Sequence, residues 1–162
     1  MSILVLGLGN ALMSDDGFGS RMAEMLQTRF RFSSGVAVLD GGTLGLDLLP
    51  RLEGIDRLLI IDALEMDAEP GAVFRLEGEE VPRAFASKLS VHQMGVQDLL
   101  AVAELQGHLP SELVVWGVQP GTVEMGLDLT PAVTAATDKV LAGVLEELRA
   151  WGVDLRHPPE QF

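Results

Sequence analysis

Four aspartates and one histidine carry most of the chemistry open to this chain. Asp15 and Asp16 stand in Ser14-Asp15-Asp16-Gly17, Asp40 precedes Gly41-Gly42-Thr43, Asp62 follows the apolar run Leu58 to Ile61, and His92 lies in Ser90-Val91-His92-Gln93. Clustered carboxylates repel one another and destabilise a fold unless a cation, a proton or a hydrogen-bond donor offsets them, so their convergence points to metal binding or acid/base work. Singly, each has a plainer reading: Asp15 or Asp16 caps a helix, Asp40 closes a turn with its glycines, and Asp62 ends a strand. An imidazole at a helix start is disfavoured as imidazolium, which leaves a ring nitrogen free for a metal, although a lone histidine is more often structural. His108, in a Gly-His-Leu-Pro turn, and His157, beside two prolines, receive no role.

Other chemistries lose support. The chain has no cysteine, so disulfides, thiolate ligands and a cysteine nucleophile are out, which suits a reducing compartment. Gly-x-Ser-x-Gly, His-Glu-x-x-His and phosphate-loop strings are all missing from the 162 residues. A dinucleotide fold is the serious rival, since Gly7-x-Gly9 follows the first apolar run and Asp40 sits where a ribose-binding acid belongs. It fails at Leu12, which stands in place of the third glycine, and at Asp15-Asp16, which would face the pyrophosphate. The formal charge of −13, with no cluster of Lys or Arg to oppose it, disfavours nucleic acid and anionic membrane surfaces. Met1 to Gly9 is apolar but short and lacks a basic flank, and no apolar run reaches membrane-spanning length, so a soluble, untargeted, cytoplasmic protein is expected.

Positioning these residues falls to an alternation of short and long apolar patterns. Ile3 to Leu6, Val36 to Leu39, Leu58 to Ile61 and Leu113 to Val118 read as strands buried on both faces. Helical spacing joins Phe18, Met22, Met25 and Leu26; Leu46 and Leu49; Val96, Leu99, Leu100 and Ala103; and Val133 through Leu148. The alternation predicts a three-layer α/β/α fold with a mostly parallel, twisted sheet in a single domain, residues 1–152. Ala72 to Leu76 reads as an edge or antiparallel addition, Thr130-Pro131 as a capped start for the last helix and Gly152 as its C-cap. Residues 153–162 read as a mobile tail. In such a sheet ligands bind at the C-terminal strand edge, which is where Asp15, Asp16, Asp40 and Asp62 gather. Gly41, Gly42, Gly95 and Gly121 near that rim are expected to let backbone amides approach an extended peptide.

The string from Gly9 to Gly19, Gly-Asn-Ala-Leu-Met-Ser-Asp-Asp-Gly-Phe-Gly, resembles the N-terminal signature of the hydrogenase maturation endopeptidases. The similarity continues, in family order, through Asp40-Gly41-Gly42-Thr43, Ile61-Asp62-Ala63, Glu80-Val81-Pro82, Ser90-Val91-His92-Gln93-Met94-Gly95 and Gly117-Val118-Gln119-Pro120. It covers nearly everything to Gly152. The resemblance implies an endopeptidase that removes the C-terminal extension from the nickel-loaded large-subunit precursor of a nickel-iron hydrogenase. It implies Asp16, Asp62 and His92 as metal ligands, with Asp16 standing where some members carry Glu, and Asp40 as a fourth catalytic residue that orients substrate or assists cleavage. Nickel is expected to arrive on the substrate, with zinc or cadmium able to take the position in vitro. The expected partner is that precursor, with no nucleic acid or membrane partner, and the expected state is a monomer. A non-catalytic, metal-dependent checkpoint of the same large subunit is the alternative.

Overall fold

The computed structural model describes residues 1–86 and 91–156; the side chains of residues 91–94 stand outside that description. Its centre is a five-stranded sheet built from β1 (Ile3–Leu8), β3 (Val36–Gly42), β4 (Arg57–Ala63), β5 (Val73–Glu77) and β6 (Glu112–Val118), in the order β3-β1-β4-β6-β5. β3, β1, β4 and β6 run parallel, and β5 pairs antiparallel with β6 at one edge. The predicted α/β architecture and antiparallel edge strand are therefore present.

The apolar runs are explained by what covers them. β1 is buried along its whole length, so both its odd and its even positions must be apolar. Leu4, Leu6 and Leu8 point to a cluster with Val81 and Phe85 of α3 (Glu80–Ala86) and with Val96, Leu99 and Ala103 of α4 (Val91–Leu105). Ile3 and Val5 point to the opposite cluster, with Phe18, Met22 and Leu26 of α1 (Phe18–Arg29) and Val133, Val140 and Val144 of α5 (Pro131–Ala150). β3 departs from the expectation of burial on both faces: as the other edge strand it is mostly half-buried or exposed. The spacing of Leu46 and Leu49 yields only a 3₁₀ turn, Gly45–Leu48, followed by the single-turn helix α2 (Leu49–Leu52).

Two further differences concern the end of the chain. Gly152 does terminate α5, with φ of +84°, a conformation that glycine adopts at little cost. Residues 153–156 are not a loose tail, however. Val153 is buried, and β7 (Leu155–Arg156) pairs antiparallel with β2 (Arg31–Phe32). Residues 157–162, the rest of the expected tail, lie outside the described residues. Thr130 occupies the cap position of α5 without capping it through its side chain, because its hydroxyl is committed to Asp15.

Candidate functional site

β1 is flanked by β3 on one side and β4 on the other, so the chain leaves β1 toward one edge and leaves β4 toward the other. The connections diverge there and open a crevice at the C-terminal ends of β1 and β4. The turn after β1 carries Asp16 and the end of β4 carries Asp62. The turn and the strand meet because α1 presses closely on the sheet. A Cβ added to Gly19 would stand 2.1 Å from the carbonyl oxygen of Ile61 and 2.2 Å from that of Leu8, so only glycine allows this approach. The 3₁₀ turn Ser14–Gly17, immediately before α1, is thereby packed against β4.

Asp62 is fully buried, and its Oδ1 accepts a hydrogen bond from the Ala63 amide at 2.8 Å. Asp16 is 7% exposed, and its Oδ2 accepts from the Asn10 amide at 3.2 Å. One buried acid in the turn after β1 and another at the end of β4 are carboxylate oxygens of the kind a divalent cation takes as ligands. Asp40, at the end of β3, is exposed. Its Oδ1 accepts from the Ser20 hydroxyl at 2.7 Å and from the Gly42 amide at 3.0 Å, which joins the β3 turn to the start of α1.

Asp15, expected to share the rim with these acids, does something else. Its fully buried carboxylate accepts from the amides of Gly121 (2.7 Å), Thr122 (3.1 Å) and Thr130 (2.7 Å) and from the Thr130 hydroxyl (2.8 Å). Those donors satisfy the charge, and Asp15 is the bolt that fastens residues 121–130 to the turn carrying Asp16. Ser14 belongs to the same joint. It holds the left-handed φ of +53°, its amide donates to the Gly126 carbonyl at 2.8 Å and its hydroxyl to the Glu124 carbonyl at 2.7 Å.

His92 falls in the first turn of α4, as the sequence predicts, and its side chain lies outside the described residues. The backbone nevertheless brings this helix start to the rim. A Cβ on Gly45 would lie 3.0 Å from the Gly95 Cα, which puts the beginning of α4 directly on the loop after β3. Among the described residues no group of three His, Asp or Glu side chains is placed to hold a metal ion. His108 is exposed near the end of α4, away from this edge, and His157 lies outside the described residues.

The rim glycines mostly serve packing and turns. A Cβ on Gly41 would meet the side chains of Leu6, Leu8 and Leu48 at 2.8–3.1 Å, and Gly95 backs onto Gly45. The amides of Gly42 and Gly121 are already donated to Asp40 and Asp15. Gln119, within Gly117-Val118-Gln119-Pro120, organises the exit of β4. This buried side chain accepts from the amides of Met66 (2.8 Å) and Ala68 (3.2 Å) and donates to Glu65 Oε2 at 2.7 Å. A glutamine directly after an apolar strand was the available signal, because a buried amide must find partners.

The chain and its fold have clear relatives among known proteins. A family model described as hydrogenase maturation protease matches residues 20–147. The chain is 41% identical over 155 residues to the hydrogenase 2 maturation protease of Escherichia coli K12, covering 95% of this chain and 94% of that one. It is also 41% identical over 155 residues to the hydrogenase expression/formation protein HupD of Rhodobacter capsulatus, covering 94% and 74%. Among solved structures, the hydrogenase maturating endopeptidase HybD of Escherichia coli superimposes with a TM-score of 0.94 at 39% identity, over 99% of this chain and all of that one.

Proposed function

The chain belongs to the hydrogenase maturation proteases, and from that membership we propose that it is the endopeptidase that removes the C-terminal extension from the large-subunit precursor of a nickel-iron hydrogenase, acting once nickel is seated in that precursor. The observation that carries the reading is the pair of buried acids, Asp16 and Asp62, at the crevice where β1 and β4 send their connections in opposite directions.

Asp16, Asp62 and His92 form the ligand set of this proposal. Two carboxylates and a neutral imidazole are a borderline-hard donor set that suits nickel, and equally zinc or cadmium in vitro. Three protein ligands leave coordination positions for the precursor's own groups, so the metal counts as part of the substrate and the enzyme recognises that it has been inserted. Precursor without metal then lacks the feature that completes the contact, which turns weak binding into a checkpoint.

A divalent ion at such a site supplies Lewis acidity toward a carbonyl or a bound water. The protein's part is positional. The Asn10 amide fixes Asp16, the Ala63 amide fixes Asp62, and Ser20 with Gly42 hold Asp40 at the neighbouring strand end. Asp40, exposed at that end, is the carboxylate placed to orient the substrate or accept a proton during cleavage. No helix among the described residues is long and apolar enough to cross a membrane, and the reading places the enzyme in the cytoplasm as a monomer, with no nucleic acid partner.

The test is incubation with purified precursor, with and without inserted nickel, followed by intact mass of the precursor. The nickel-loaded form alone is expected to shorten, and Asp16→Ala, Asp62→Ala and His92→Ala are expected to abolish the shortening. Shortening of nickel-free precursor would remove nickel dependence, and binding of loaded precursor without a mass change would remove the cleavage step.

A further inference from the structure

We propose that an apolar ridge formed by Leu12, Val123, Met125 and Leu127 is the surface on which the folded body of the precursor docks, beside the acids at the crevice; the inference rests on the function proposed above. Met125 is 87% exposed, Leu127 64%, Leu12 61% and Val123 49%. Single exposed hydrophobics are ordinary, but these four share one joint. The Gly126 amide donates to the Leu12 carbonyl at 2.9 Å, and Met13 bridges Gly126. The loop that carries them is fastened through Ser14 and the buried Asp15.

That fastening gives the ridge its meaning. A loop of this composition could fold its apolar side chains inward, yet its backbone is tied so that they face out. The residues that tie it, Ser14 and Asp15, immediately precede Asp16. The ridge and the candidate ligand are thus parts of one rigid unit, and whatever covers the ridge is held in register with the crevice.

Charge selects the occupant. Glu124 and Asp128 are exposed among the ridge residues, and the chain carries a formal charge of −13. A second copy seated here would bring the same acids together, which disfavours self-association. The fitting occupant is a different protein with an apolar patch and a neutral or basic margin. For an endopeptidase with a protein substrate, that is the precursor's surface next to the extension being removed.

The experiment is steady-state processing of nickel-loaded precursor by wild type, by the double variant Met125→Ser/Leu127→Ser, and by Leu105→Ser as control. Leu105 is 86% exposed at the end of α4, on the approach to the start of β6 and so at the opposite sheet edge. The double variant is expected to raise KM about tenfold, the effect of losing two interface anchors, with kcat and melting temperature unchanged. Leu105→Ser is expected to change neither constant. An unaltered KM, or a fall in kcat alone, in the presence of an active wild type would overturn the ridge and leave the proposed function standing. A dimer of the wild type in sedimentation that the double variant dissolves would reassign the ridge to self-association. A wild type inert toward loaded precursor would overturn the proposed function and the ridge with it.

Discussion

At the scale of single residues, adjacent aspartates have opposite fates. Asp15 spends its charge on backbone amides and the Thr130 hydroxyl, whereas Asp16 accepts from the Asn10 amide and is the proposed ligand. The two should therefore fail differently. Asp15→Ala leaves several buried donors without an acceptor and is expected to lower unfolding stability by roughly 3 kcal/mol, read as a drop in the urea midpoint. An unchanged midpoint would show that the 121–130 loop does not depend on that carboxylate. Asp16→Glu keeps the oxygen chemistry at about one carbon's greater reach, so it should retain processing of nickel-loaded precursor where Asp16→Ala loses it. If the metal is shared with the substrate as proposed, free nickel should bind the isolated wild type only modestly by calorimetry. Nanomolar binding would contradict a metal shared between enzyme and precursor.

At the scale of elements, the site depends on how closely α1 approaches the strand ends. Gly19 permits a contact that any side chain would break, and its partners are backbone carbonyls that cannot swing aside. Gly19→Ala is expected to push α1 outward and cost about 1–3 kcal/mol. Because the displaced segment begins just after Asp16, processing should fall further than the lost stability alone explains. Thermal melts paired with precursor cleavage at a temperature well below both transitions will separate the effects. Full cleavage by a folded variant would show that the turn carrying Asp16 is held independently of the helix. Elsewhere, Arg75 joins β5 to α5: its guanidinium hydrogen-bonds Glu147 and Glu77, and the contact with Glu147 raises its already high pKa. The pair is partly exposed, so it secures the edge strand more than it stabilises the fold.

At the scale of the whole molecule, the sheet is closed on both faces by helices, and the chain end contributes to one of them. Val153 packs beside Leu148 and its neighbours, and β7 meets β2 at the end of α1. A chain ending at Gly152 loses this patch and should be about 2 kcal/mol less stable, the value of one buried aliphatic side chain with its surroundings. A chain ending at Arg156 keeps it. Equal melting temperatures for the two truncations would return residues 153–156 to the status of a tail.

Amino-acid order alone determined the class of fold and the residues worth testing, because parallel strands buried on both faces must be continuously apolar and because Asp40 and Asp62 stand at the ends of such runs while Asp16 lies in the turn after the first. It also determined the family, through short strings kept in order over nearly the whole chain. Tertiary structure decided what those strings do. That Asp15 is the acid tied to the 121–130 loop depends on contacts with residues more than a hundred positions away, and no local periodicity reports them. The same holds for β2 and β7, two residues each and meaningful only once paired, and for Gln119, whose role exists only because β4 and β6 lie side by side. A local pattern records burial and turn geometry; the partner of a buried polar group is set by packing, and here packing commits Asp15 to the 121–130 loop.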